Sequence, residues 1–264
     1  MSSLPYRLTY IGHSTILIEM DGMRILTDPV LRDRVAHLNR HGPSPDLSRL
    51  AAPDAVLLSH LHLDHCDVPS LRLLGRDTRL FVPSGGGPML RRRGFRSVEE
   101  LAVGEMARVG PLSIRAVPAA HGRFRPPLGP SAGAVGFMLE GAKRVYFAGD
   151  TDLFPEMAGL AVAPDGRRLD IALLPVWGYG PTLGPGHLDP WRAAQALRLL
   201  RPAVAIPIHW GSFRPPRLPG LSGSSAAPRF LTQPPYRFAS YAAELAPDVA
   251  VRVVPPGEVL TLIE

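Results

Sequence analysis

Six consecutive residues, His60-Leu61-His62-Leu63-Asp64-His65, place three imidazoles and a carboxylate directly behind the apolar run Ala55 to Ser59. In extended backbone alternate side chains point the same way, so His60, His62 and Asp64 converge, and a turn starting at Asp64 brings His65 round to join them. Imidazole nitrogen and carboxylate oxygen are ligands that suit zinc and its first-row neighbours. A solvated polar turn has no use for three imidazoles at this spacing. The run therefore predicts a metal site at the end of a strand.

The rest of the chain reads as many short strands with few helices. Apolar or β-branched runs occur at 15–18, 24–26, 55–58, 80–82, 114–117, 135–139, 145–148, 171–174, 204–208 and 259–263. The clearest helix spans Pro190 to Leu200, with Asp189 as cap and Pro190 in the first turn, and a second spans Val68 to Leu74. Two sheets packed face to face with helices outside accommodate this order. Stretches 31–47, 122–130 and 213–235 read as surface loops able to shape a pocket. No repeat or composition break marks a second domain, so residues 1–264 are expected to form one.

Three further residues fall where strands end and ligands can be aimed: His121 after 114–120, Asp150 after 145–149, and His209 after 204–208. Together with the run at 60–65, the segments Ala119-Ala120-His121-Gly122, Phe147-Ala148-Gly149-Asp150-Thr151 and Pro207-Ile208-His209-Trp210-Gly211 resemble the motif series of the metallo-β-lactamase superfamily. The resemblance implies an αββα sandwich with metals at one edge. It assigns His60, His62 and His121 to a first ion, Asp64, His65 and His209 to a second, and Asp150 to both. A hydroxide held between two such ions is a strong nucleophile near neutral pH. The implied protein is a dinuclear metal-dependent hydrolase, with zinc the default ion and manganese or iron as other occupants of the same ligands. The only cysteine, Cys66, stands outside the ligand set, which argues against an antibiotic-degrading lactamase and excludes an intrachain disulfide.

Shorter segments resemble the branch that contains ascorbate-6-phosphate lactonase and N-acylphosphatidylethanolamine-hydrolysing phospholipase D. These are Gly12-His13-Ser14-Thr15 in the first hairpin, Thr27-Asp28-Pro29, and His187-Leu188-Asp189-Pro190. The branch implies a small or lipid-like ester substrate, a phosphodiester or phosphorylated lactone foremost. Asp64 and His187 are the candidates for catalysis, His187 by binding substrate or protonating a leaving group. The resemblance sets His13 and His187 at the rim of the centre. Asp28 is expected to fix the tautomer of a ligating imidazole. Trp177 and Tyr179 are expected to line a pocket, and Arg123 and Arg125 to meet a phosphate or carboxylate.

Charge leaves a nuclease as the main alternative. The formal charge is +6 with 29 basic residues, of which only Lys143 is lysine. That pattern reads as a bias toward arginine, and no segment is large enough for the extra arm by which superfamily nucleases grip a polymer, so no nucleic acid partner is expected. The cluster Arg91-Arg92-Arg93 reads as the solvated end of a short helix. A di-iron oxidoreductase is a further alternative, although such proteins replace ligand histidines by acids. With no apolar run of membrane-spanning length and no secretory start, a cytoplasmic protein is expected, with an oligomer possible.

Overall fold

The computed structural model describes residues 6–50, 52–122, 129, 131–215 and 229–262. Three antiparallel strands begin the fold: β1 (Tyr6–Gly12), β2 (Thr15–Met20) and β3 (Met23–Thr27). A small hairpin, β4 (Arg34–Val35) and β5 (Leu38–Arg40), and one turn of helix, α1 (Leu47–Leu50), lead back into the sheet. There β6 (Ala55–Leu57) runs parallel to β3, followed by α2 (Val68–Leu74), β7 (Leu80–Pro83), α3 (Gly87–Arg92) and β8 (Val98–Leu101).

The second sheet starts with an antiparallel meander, β9 (Met106–Val109), β10 (Leu112–Pro118), β11 (Val135–Glu140) and β12 (Arg144–Phe147). It continues in parallel with β13 (Ile171–Pro175), α4 (Pro190–Leu200) and β14 (Val204–Ile208). Next, β15 (Phe213–Arg214) returns to pair with β5, and α5 (Arg229–Thr232) and α6 (Pro234–Leu245) precede β16 (Ala250–Val251) beside β14. The last strand, β17 (Val259–Leu262), closes onto β1 of the first sheet. Strand order is β17-β1-β2-β3-β6-β7-β8 in one sheet and β16-β14-β13-β12-β11-β10-β9 in the other.

Period-two alternation explains the layering. Tyr6, Leu8 and Tyr10 of β1 and Ile16 and Ile18 of β2 share one core with Ile114, Phe137, Leu139 and Phe147 of the other sheet. The opposite face of the first sheet, through Leu17, Leu26, Val56 and Val82, packs on Leu71 of α2 and Leu90 of α3. Ala194 and Leu197 of α4 and Phe238 of α6 join the core from the second sheet's side. The result is the αββα sandwich with helices outside. Among the described residues no helix is long and apolar enough to cross a membrane.

The structure corrects two loop expectations. Stretch 31–47 carries the β4–β5 hairpin and the start of α1. Stretch 213–235 holds β15, α5 and the start of α6, whose Pro234 and Pro235 sit in the first turn, where a missing N–H costs nothing. Residues 123–128, 130 and 216–228 lie outside the described residues. The arginine cluster does end a short helix, α3, but Arg91 is more than solvated: it bonds Glu100 at 3.0 Å and the Val98 carbonyl at 2.8 Å, pinning α3 to β8.

Helix α2 begins three residues beyond the histidine-rich run and anchors it. Asp67 caps the helix through the Ser70 amide at 3.0 Å, accepts the Ser70 hydroxyl, and receives a two-pronged bond from Arg32 at 2.8 and 2.7 Å. The Asp67→Ala variant is expected to lose about 2 kcal/mol of unfolding free energy, the sum of a lost cap and a lost charge-assisted bond. Urea unfolding measures it, and an unchanged midpoint would show that Asp67 is not an anchor.

Candidate metal centre

All the predicted ligands come together at one edge of the sandwich, beyond the ends of β6, β10, β12 and β14. His60, His62 and His121 offer nitrogens within 4.8 Å of one another, as do His13, Asp64, His65 and His209 with their own ligand atoms. Asp150 stands between the two groups. Its Oδ2 lies 3.1 Å from His65 Nε2, 4.0 Å from His121 Nε2 and 3.4 Å from His187 Nε2, and its Oδ1 lies 3.2 Å from His209 Nε2.

Local sequence explains how these side chains are aimed. Three of the residues lining the centre hold left-handed backbone without being glycine: His13 at φ 60°, Asp28 at φ 33° and His209 at φ 63°. Such conformations persist only where neighbours enforce them. The His209 amide bonds the His13 carbonyl at 2.7 Å, coupling the β1–β2 turn to the end of β14 across the two sheets. Thr15 donates to the Asp28 carbonyl at 2.8 Å, and Thr27 donates to the Ser14 carbonyl at 2.7 Å. The segments Gly12-His13-Ser14-Thr15 and Thr27-Asp28-Pro29 are thus two halves of one bonded corner. At Gly149 a β-carbon would come 2.4 Å from Ser59 Cβ, so glycine is required for β12 to bring Asp150 beside the histidine run.

Each inward nitrogen is set by a partner on the opposite side of its ring. His65 Nδ1 lies 2.7 Å from Asp28 Oδ2, His121 Nδ1 2.8 Å from the Gly186 carbonyl, and His209 Nδ1 2.6 Å from the Trp177 carbonyl. His60 Nδ1 lies 3.0 Å from the Ser59 hydroxyl. With Nδ1 donating, Nε2 is left with a lone pair for the centre. His62 differs, turning Nδ1 toward His121 Nε2 at 3.1 Å.

The electrostatics follow from burial against unlike charge. Burial works to raise the Asp150 and Asp64 carboxyls, yet the imidazoles around them, His209 and His65 for Asp150 and His65 and His13 for Asp64, hold both well below the usual range. Burial likewise disfavours charge on His65, but Asp150 and Asp64 lift it well above the ordinary imidazole value. Burial dominates at His60, which falls far, at His13, which falls to about 3, and at His121, which falls to about 4. His187, against its burial, is lifted to about 9 by Asp150. For Asp28 burial prevails over its bonds to His65 and Ser59 and raises the carboxyl.

A metal suits this donor set. Asp28 and Asp150 are buried and Asp64 is half-buried, and among the described residues the ion-pair partners of Asp64 and Asp150 are imidazoles, not lysine or arginine. His60 Nε2 is buried with no hydrogen-bond partner among the described residues. An inward lone pair with nothing to accept is what a cation would satisfy.

The remaining expected residues fall in different places. His13 lies inside the cluster, not at its rim: it is buried, with Nε2 3.0 Å from Asp64 Oδ2 and its ring 3.8 Å from that of His209. His187 is half-buried in the wall of a cavity of about 460 Å³ that opens onto Asp64, Asp150 and His209. Tyr179 lines that cavity with Val35, Leu38, Leu63 and Leu183, whereas the Trp177 ring is not in the lining and bonds the Gly180 carbonyl at 3.0 Å. Trp177 serves His209 through its backbone oxygen, a contribution that no side-chain pattern reveals. Trp191 packs edge-on to Tyr241 at 5.1 Å. Arg123 and Arg125 lie outside the described residues. Ser59, not anticipated as a site residue, meets His60 Nδ1 through its hydroxyl.

Comparison with known proteins identifies the family. Residues 23–210 match the family described as Beta-lactamase superfamily domain. An uncharacterized protein of Mycobacterium tuberculosis is 35% identical over 225 residues, 78% of this chain, and the match spans 59% of that relative's own length. A metal-dependent hydrolase of Methanopyrus kandleri is 32% identical over 96% of this chain and 98% of its own. N-acyl-phosphatidylethanolamine-hydrolyzing phospholipase D 1 of Caenorhabditis elegans is 29% identical over 78% of this chain and 64% of its own. The solved structure of a metallo hydrolase from Ignicoccus hospitalis superposes with a TM-score of 0.73 at 27% identity, covering 99% of this chain and 100% of that one. By the family match and the Methanopyrus relative, the chain belongs to the metallo-β-lactamase superfamily.

Proposed function

We propose that the protein is a cytoplasmic hydrolase that holds two divalent ions, zinc being the best-matched, and cleaves a small or lipid-like ester. The observation that carries this reading is the position of Asp150, whose oxygens lie 3.1 and 3.2 Å from His65 and His209 of one ligand set and 4.0 Å from His121 of the other. His60, His62 and His121 would hold one ion, Asp64, His65 and His209 the other, and Asp150 both. When bound, the ions would supply Lewis-acid charge and lower the pKa of water enough to attack an ester near neutral pH.

The chain's own residues do the rest. Asp64 is oriented by His13 at 3.0 Å, which keeps its carboxylate facing the cluster. His187 is fixed through Nδ1 by the Gly184 and Pro185 carbonyls, both at 3.1 Å, so that Nε2 faces Asp150 at the cavity floor. From there an imidazole can bind the reacting group or deliver a proton to a leaving oxygen. The apolar wall of Val35, Leu38, Leu63, Tyr179 and Leu183 suits an acyl chain or ring. Support for a phosphodiester, the first of the two substrate classes considered, comes from the Caenorhabditis relative that is named for phospholipid hydrolysis.

Plasma mass spectrometry of the full chain, purified without chelator or histidine tag, is expected to find about two zinc-like ions per chain and fewer in Asp150→Ala. Trace metal in the wild type after supplementation with zinc, manganese or iron would sink the reading. In a screen of phosphodiesters and lactones, His187→Ala is expected to lower kcat on the accepted substrate by roughly a hundredfold with metal content unchanged. Unaltered kcat and KM would reduce His187 to a structural role.

A further inference from the structure

Of the four ligand imidazoles whose Nδ1 is tied back, three rest on oxygens placed as acceptors. The Gly186 and Trp177 carbonyls have no hydrogen to offer, and Asp28 faces His65 Nδ1 with Oδ2 while its Oδ1 accepts the Ser59 amide. The fourth, His60, rests on the Ser59 hydroxyl, which can donate or accept. Something else must decide which it does. If Ser59 donated to His60, the ring proton would move to Nε2 and the buried inward lone pair would be lost.

We propose that Ser59 is a positioning residue that relays the hydrogen-bond polarity of Asp28 to His60, so that one carboxylate sets the tautomer of an imidazole in each half of the metal centre. The inference rests on the two-metal reading above. Ser59 Oγ lies 2.6 Å from Asp28 Oδ2, and the Ser59 amide lies 2.7 Å from Oδ1. With Oδ1 taking the Ser59 amide and Oδ2 facing His65 Nδ1, Asp28 is placed as an acceptor, and the single hydroxyl proton points to it. Ser59 Oγ then presents only lone pairs to His60 Nδ1 at 3.0 Å, and that nitrogen must carry the ring proton. The outcome matches His60 Nε2, which is buried and unpartnered among the described residues. The same Oδ2 receives His65 Nδ1 directly at 2.7 Å, so His65 is set in one step and His60 in two.

Packing holds the relay in place. Ser59 is buried, and Gly149 backs onto it so closely that an added β-carbon would meet its Oγ at 2.7 Å. The Asp28 amide bonds the Leu57 carbonyl at 2.9 Å, which joins β3 to β6 just before Ser59. Asp28, Ser59 and His60 are therefore fixed relative to one another by the sheet itself.

The test uses the full-length zinc-loaded chain and reads two quantities besides activity: zinc affinity by chelator competition, and the His60 Nδ1 proton by nitrogen-resolved magnetic resonance. In the wild type that proton is expected to be present and protected from solvent. In Ser59→Ala it is expected to exchange at least about tenfold faster, and one zinc equivalent to weaken by about 10- to 100-fold while the other changes by no more than about twofold. Asp28→Asn is expected to weaken both equivalents, because an amide NH₂ at the Oδ2 position reverses the bond to Ser59 and cannot accept from His65. Should Asp28→Asn fail to fold, Ser59→Ala and the wild-type spectrum still decide. A His60 ring without a proton on Nδ1, or Ser59→Ala binding both zinc equivalents as the wild type does, would overturn the relay. A wild type that holds at most one zinc would instead overturn the two-metal reading, and the His60 proton would still report on the relay by itself.

Discussion

The bond from His65 to Asp28 is the contact on which the arrangement of the site depends. It joins a buried imidazole to a buried carboxylate at 2.7 Å, where neither tolerates the loss of the other. Asp28 belongs to the end of β3, and His65 to the turn that follows β6. Their bond therefore fixes the histidine-rich run against the sheet from which it leaves. Arg32, bonded to Asp67 at the head of α2, braces the same run from its far end. Between these two anchors the backbone of 60–65 has little freedom, and its side chains inherit that rigidity.

The sandwich contributes by ending its strands in one place. β6 and β7 in the first sheet and β12, β13 and β14 in the second are parallel neighbours, so their C-terminal ends lie along one edge. Side chains just beyond a strand end project past the core without interrupting any ladder of backbone bonds. The two sheets still need joining at that edge, because His60 and Asp28 come from one while Asp150 and His209 come from the other. The join is the corner in which the His209 amide meets the His13 carbonyl, Tyr10 donates to the Trp210 carbonyl, and Ser212 accepts from the His13 amide. Left-handed backbone at His13 and His209 is the local strain that this corner holds.

These features differ in how readable they are. The run at 60–65 and the strand-end positions of His121, Asp150 and His209 are legible because period-two alternation and strand termination are local properties. β1 carries the same signal, with Tyr6, Leu8 and Tyr10 inward, but its Arg7 and Thr9 break up the apolar run that marked other strands. The edge strands β8 and β9 are masked by glutamate and arginine on their exposed faces. What no local pattern contains is Ser59 as the partner of His60 or the Trp177 carbonyl as the acceptor for His209, since both depend on groups brought near only by the fold. An aromatic residue near a site advertises its ring, and here the ring turns away while the peptide oxygen does the orienting.

The centre and the cavity above it are built on different principles. Below, His60, His65, His121 and His209 are each held through Nδ1 by a group that the fold brings behind the ring. Above, the wall comes from the β4–β5 hairpin through Val35, His37 and Leu38 and from residues 178–184 around Tyr179. The hairpin attaches to the remainder mainly through β15 and the Arg40 side chain, which lies over Phe213 at 4.7 Å and bonds the Val30 carbonyl at 2.6 Å. Substitutions in the wall can thus change the shape presented to a substrate without passing through the bonds that orient the imidazoles. A fold that separates the two in this way can keep one reactive centre while the surrounding wall varies. On that division the chemistry of the site is read from the strand ends, and the choice of substrate from the hairpin and the loop facing it.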